Sequence, residues 1–196
     1  MTDVTRNGPL LWQAMLEELN VPGAVVAGGA VRDFCLNLEP KDIDIFVPVS
    51  CLSDFLALVD HVADNRYFDL HPMFDKAKEY VKDADSIPGS DLIGVMEGEA
   101  FGLPVNVIAR TAHLGGPRAL IDSFDFDVLQ GYHDGESLKW NVCQGKACQT
   151  KIATLMHGRH VDQSIKRFLR FNQRHPGLLS LNIPFDVSEH RYATTE

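Results

Sequence analysis

Gly28 and Gly29 close a short apolar run, Val25-Val26-Ala27, and open a second one, Ala30, Val31, Phe34 and Leu36, whose spacing predicts a helix. Without Cβ atoms, the two glycines let an anion approach the backbone amides of the turn, where N–H groups and the helix dipole favour negative charge. After a break at Asn37 and Pro40, Lys41-Asp42-Ile43-Asp44-Ile45-Phe46-Val47 alternates polar and apolar residues. The alternation predicts a strand with Asp42 and Asp44 on one face and Ile43 and Ile45 in the core. Two carboxylates about 6 to 7 Å apart along a strand repel each other unless a cation lies between them. Hard oxygen ligands of this kind suit Mg²⁺ or Mn²⁺. A phosphate-binding turn followed by a carboxylate pair is the layout that metal-dependent phosphoryl transfer requires.

The Gly-Gly-x-Val-Arg-Asp block and the Asp-x-Asp pair, taken in order and at this spacing, resemble the head domain of the DNA polymerase β nucleotidyltransferase superfamily. The resemblance is strongest to the bacterial tRNA CCA-adding and poly(A) polymerase branch and covers roughly the first quarter of the chain. It implies an α+β nucleotidyltransferase fold, with a central mixed sheet flanked by helices. It also implies transfer of a nucleoside monophosphate from an NTP to an acceptor hydroxyl, an RNA 3′ end above all, with release of pyrophosphate. In that reading Asp42 and Asp44 are the metal ligands. Gly28, Gly29, Arg32 and Lys41 are then the nucleotide-binding residues, while Arg32 and Asp33 either position substrate or hold the fold.

The superfamily commonly takes a third carboxylate from a later strand. The expected strand here is Gly102-Leu-Pro-Val-Asn-Val-Ile-Ala, paired as a hairpin with Leu92–Glu99, and it carries Asn106 where an acid is expected. An asparagine carbonyl can accept a hydrogen bond or a metal but carries no charge. The segment Ile121–Gln130 is expected to finish a helix and enter a strand beside the hairpin, with Asp125 and Asp127 facing the metals and Phe124, Phe126 and Val128 facing away. Phe-Asp-Phe segments of this type are similar to those of viral and phage nucleotidyltransferase-like proteins. The alternative is that Asp122 and Asp125 only solvate the entrance of the strand.

Other elements must position these groups. Leu10–Leu19 reads as an amphipathic helix stopped by Asn20 and Pro22-Gly23. A second helix runs from about Ser50 to Ala63, with Ser50 or Ser53 as N-cap and Leu52, Phe55, Leu56 and Val59 inward. Tyr67–Phe74 reads as a strand or loop, Asp75–Pro88 as a charged surface excursion, and Gln130–Trp140 as a hairpin turning at Asp134-Gly135. Val161–Gln173 is a basic helix with Ile165, Phe168 and Leu169 inward, ended by Pro176-Gly177. Between Lys146 and Gly177 seven basic residues face Asp162 alone, a local charge of +6 in a chain of net charge −9. Lys166 and Arg170 of that helix are candidates to hold triphosphate or a nucleic-acid backbone by charge. A solvated amphipathic surface helix is the plain alternative. The organisation expected is a nucleotidyltransferase domain over 1–145 and a basic helical segment with its tail over 146–196, packed on the same domain.

With 196 residues, 45% of them hydrophobic and 23% charged, the chain is expected to be an ordinary soluble domain with a substantial core. It shows neither a run of about 18 apolar residues nor a basic, apolar leader, so a cytoplasmic location without membrane contact is expected. Cys35, Cys51, Cys143 and Cys148 then read as free thiols. The length leaves little room for the helical domains with which full CCA-adding enzymes grip tRNA. A small enzyme adding nucleotides to RNA, to a protein or to a small molecule fits better, a phage-encoded factor included. The competing class is a non-catalytic nucleotide-binding or sensor protein on the same fold.

Overall fold

The computed structural model describes residues 4–73, 92–157 and 161–185. A helix, α1 (Val4–Leu19), leads into strand β1 (Val25–Ala27), helix α2 (Gly29–Cys35) and strand β2 (Ile43–Pro48). Helix α3 (Leu52–Ala63) and strands β3 (Phe68–Pro72), β4 (Leu92–Ala100) and β5 (Leu103–Arg110) follow. A 3₁₀ turn at Ala112–Gly115 and helix α4 (Pro117–Asp122) precede a second 3₁₀ turn at Asp127–Leu129 and the hairpin β6 (Gly131–His133) and β7 (Leu138–Trp140). The last described elements are α5 (Val142–Thr150), β8 (Ile152–Thr154), α6 (Val161–Arg174) and β9 (Ser180–Asn182).

The seven-stranded sheet has the order β3-β4-β5-β2-β1-β6-β7, and β2 and β5 run parallel within an otherwise antiparallel arrangement. This is the mixed, helix-flanked α+β sheet that the motif implies. β8 and β9 form a separate parallel pair. The tight turn between β4 and β5 places Phe101 and Gly102 at φ 55° and 75°, and glycine takes such a conformation without a Cβ penalty.

One apolar cluster packs α1, α2 and α3 against the inner face of the sheet through Trp12, Met15, Leu19, Val31, Ile43, Ile45 and Phe55. A second joins Leu36, Phe126 and Val128 to α5, β8 and α6 through Leu155, Phe168 and Phe171. Alternation along β2 buries Ile43 and Ile45, as its period of two dictates.

Several local expectations shift. α1 begins at Val4 rather than Leu10 and accommodates Pro9. In α3 the buried stripe is Phe55, Leu58 and Val62, which packs toward β3 and β4, while Leu52 and Leu56 are exposed. The N-cap position is Cys51, whose side chain makes no cap bond; Ser50 instead bonds the Asp54 carboxylate through its N–H and its hydroxyl. In α6 the buried residues are Val161, Ser164, Phe168 and Phe171, so Phe171 replaces Leu169 in the core. The expected excursion Asp75–Pro88 lies outside the described residues. Leu181 and Asn182 belong to β9.

His113, in the turn after β5, is buried, and neither ring nitrogen has a hydrogen-bond partner among the described residues. Burial, reinforced by the charge of Arg110, pushes its pKa down to about 4. Between pH 6.5 and 4 the unfolded chain therefore binds a proton that the folded chain refuses, and stability falls as pH falls through that window. His113→Leu should remove on the order of 3 kcal/mol of that acid-side loss. Thermal unfolding followed from pH 7 to pH 4 in both proteins checks this, and equal slopes would refute it.

Candidate functional site

Antiparallel pairing sets Val25 opposite Phe46 and Val26 opposite Ile45. Continued by two or three residues, that register brings the Gly28–Gly29 turn level with Ile43 and Asp42. Gly28 itself sits at φ 74°, ψ −124°, which only glycine adopts readily, and the chain reverses there into α2. A Cβ on Gly29 would lie 3.7 Å from Nη2 of Arg32, so the guanidinium rests against the turn.

Asp44 stands in register with Asn106 of β5, and the Asn106 amide donates to Oδ1 of Asp44 at 2.8 Å. Desolvation, with the negative charge of Asp42 adding to it, raises the Asp44 pKa to about 6. The Asn106 hydrogen bond and the charges of Arg32 and Lys41 act in the opposite direction. Across the next strand Asn106 is paired with Glu97. The position expected to hold a third acid is thus occupied by an amide that steadies the second one.

A cavity of about 600 Å³ opens beside Asp42. Its wall includes Gly29, Arg32, Asp33, Lys41, Asp42 and Asp125 on one side and Arg167, Arg170, Gln173 and Arg174 of α6 on the other, with Phe126, Phe168 and Phe171 as apolar lining. Three ion pairs cross or edge it. Arg32 meets Asp33 at 2.7 Å, Lys41 meets Asp42 at 3.5 Å and Arg167 meets Asp125 at 3.2 Å. The Arg32 guanidinium also lies over the Phe171 ring, 4.2 Å from its centroid. Asp33 is buried, and desolvation raises its pKa against the lowering effect of Arg32.

Of the residues selected from sequence, Gly29, Arg32, Lys41, Asp42, Asp125 and Arg170 share this cavity, whereas Gly28, Asp44, Asp127 and Lys166 are not part of its wall. Lys166 is exposed on α6. The strand expected around Asp125 and Asp127 is not formed. Phe126 makes a single antiparallel bridge to Leu155, and Asp127 starts a 3₁₀ turn. The reason is local: Asp127 is buried and its Oδ1 accepts the Thr154 N–H at 2.8 Å, which bends the chain toward β8 and away from the β4–β5 hairpin. Asp33, Arg167, Phe171 and Arg174 also belong to the wall. The basic run in the sequence signalled the two arginines, but nothing local distinguished Phe171 from its apolar neighbours.

Among the described residues no group of three or more His, Cys, Asp or Glu is close enough to hold a metal ion. A divalent cation held by Asp42 and Asp44 alone would need triphosphate oxygens and water to complete an octahedron. All four cysteines are free thiols, and no helix among the described residues is long and apolar enough to cross a membrane.

The chain matches solved structures at low sequence identity. The Thermotoga maritima CCA-adding enzyme complexed with tRNA aligns at a TM-score of 0.59 and 16% identity over 97% of this chain and 41% of its own. A CCA-adding enzyme complexed with ATP aligns at 0.59 and 17% over 93% and 41%, and a tRNA-processing enzyme with CTP at 0.58 and 16% over 91% and 44%. The chain thus spans less than half the length of these proteins and shares their nucleotidyltransferase-like fold. No curated protein matches it. Residues 9–148 match the Gabija anti-defense 2 family, and the chain belongs to that family.

Proposed function

We propose that the protein is a metal-dependent nucleotidyltransferase that moves a nucleoside monophosphate from an NTP to an acceptor hydroxyl, an RNA 3′ end above all, in the service of counter-defence. The observation that supports this reading is the antiparallel register that, continued past its last pair, brings the glycine turn level with Asp42, on the wall of a cavity lined by Arg32, Lys41 and the arginines of α6. The fold shared with CCA-adding enzymes and the family's anti-defense designation support it.

In this reading the glycine turn leaves room for the triphosphate, and Asp42 and Asp44 hold Mg²⁺ or Mn²⁺ together with its oxygens. A divalent ion bound there offsets the triphosphate charge and polarises the α-phosphoryl group. Arg32, Lys41, Arg170 and Arg174 stabilise the charge that grows on the departing pyrophosphate. The acceptor oxygen forms a bond to the α-phosphorus as the bond to the β-phosphate bridging oxygen breaks. In this reading Asp125, on the cavity wall, receives the hydroxyl proton once Arg167 turns to phosphate. Asp127 is already committed to Thr154.

A second reading, binding of a nucleotide without transfer, draws on Asn106: with an amide in place of an acid, the site lacks a third negative ligand. Incubation with Mg²⁺, each labelled NTP and total RNA separates the two. Transfer should occur in the wild type and fall by about 10³-fold or more in Asp42→Ala/Asp44→Ala, as the loss of several kcal/mol of transition-state stabilisation requires. Transfer that persists in the double variant would sink the assignment of these acids, and NTP binding without label transfer would favour the second reading.

Position 106 gives an independent check. Asn106→Asp sets a carboxylate against Asp44 and should cost about 1–3 kcal/mol of stability in chelator. Mn²⁺ should then restore more stability to this variant than it adds to the wild type. Equal Mn²⁺ gains in thermal unfolding would show that position 106 and Asp44 do not share an ion.

A further inference from the structure

Arg32 is held on two sides. Its Nε donates to Oδ1 of Asp33 at 2.7 Å, Nη2 lies 2.7 Å from the same oxygen, and the Phe171 ring covers the guanidinium plane at 4.2 Å. The side chain is only 13% exposed. An arginine carries about 2 kcal/mol of rotamer entropy, so a free one would sweep many positions before meeting a ligand. Here the group is fixed against the glycine turn before any ligand arrives. Of its five N–H donors, those on Nη1 have no partner among the described residues, and the residue lines the cavity.

We propose that Phe171 is a positioning residue for phosphate recognition: its ring, with Asp33, orients the Arg32 guanidinium so that its unused donors meet the phosphate chain held at the Gly28–Gly29 turn. The proposal rests on the nucleotidyl-transfer reading above and adds to it a residue from α6, remote in sequence from the glycine and carboxylate motifs. It explains why Phe171 points to α2 while Phe168, one turn earlier, packs against Phe126. A purely mechanical tie between α2 and α6 would have no need of a cation on the ring, nor of a location on the cavity wall. An aliphatic side chain would fill the same apolar volume. Only an aromatic face attracts a guanidinium while leaving all its N–H groups free to bond elsewhere, because the attraction comes from the ring quadrupole.

The test uses the full chain and inorganic tripolyphosphate, with ATP and CTP alongside, titrated calorimetrically in Mg²⁺. Phe171→Leu keeps an apolar side chain and removes the π face, and it should weaken tripolyphosphate binding about 5- to 20-fold. Phe171→Tyr keeps the face and should stay within about 3-fold of the wild type. Leu155→Val, in the same apolar cluster but off the cavity wall, reports loss of packing alone and should leave the affinity unchanged while lowering the thermal midpoint. Wild-type affinity in Phe171→Leu, or an equal loss in Leu155→Val, overturns the positioning role and leaves the nucleotidyl reading standing. A wild type that binds neither tripolyphosphate nor an NTP overturns both.

Discussion

The antiparallel pairing of β1 with β2 is the constraint on which the candidate site depends. β1 ends just before the two glycines, and β2 begins at Ile43, between the two carboxylates. Only the register that sets Val25 against Phe46 brings those two ends together. Slipping it by one residue would turn Ile43 and Ile45 out of the core and Asp44 into it. The apolar cluster under the sheet therefore fixes the polar geometry above it: burying Ile43 and Ile45 turns Asp44 to the opposite face, where it meets Asn106. The parallel pairing of β2 with β5 extends the same logic to Asn106, which reaches Asp44 because the two share a rung and a face.

Charge in the cavity follows a second rule. The chain as a whole is acidic, yet the cavity wall is rich in cations, and most of them are matched locally. Asp33 answers Arg32, Asp42 answers Lys41 and Asp125 answers Arg167. Unmatched cations crowded around a half-buried cavity would repel each other, and removing them from water without partners is costly. Paired, they remain in place. Arg170 and Arg174 carry no ion pair among the described residues and sit one helical turn apart on the α6 side.

α6 connects the two halves of the molecule. Its buried face belongs to the second apolar cluster with Leu36 and Phe126, while its arginines reach the cavity. The contact between Arg32 and Phe171 crosses from one cluster's helix to the other's. A small chain that spans less than half of the CCA-adding enzymes it resembles in fold thereby builds both walls of a cavity from its own sequence.

The sequence by itself determined the glycine turn, the carboxylate strand, the β4–β5 and β6–β7 hairpins and the basic helix, because each is a local pattern of period or backbone demand. Burial periodicity was enough to place Ile43 and Ile45 in the core. What only the tertiary structure decided is where distant side chains meet. Asp125 and Asp127 look equivalent in sequence, yet the backbone N–H of Thr154 captures Asp127 and bends the segment out of a strand, leaving Asp125 to Arg167. Likewise α3 and α6 each turn a face slightly different from the one their apolar residues suggest, so that Leu58 and Phe171 are buried in place of Leu56 and Leu169. A helix of mixed pattern has several apolar faces of similar strength, and the surface it packs against selects among them, which no single segment encodes.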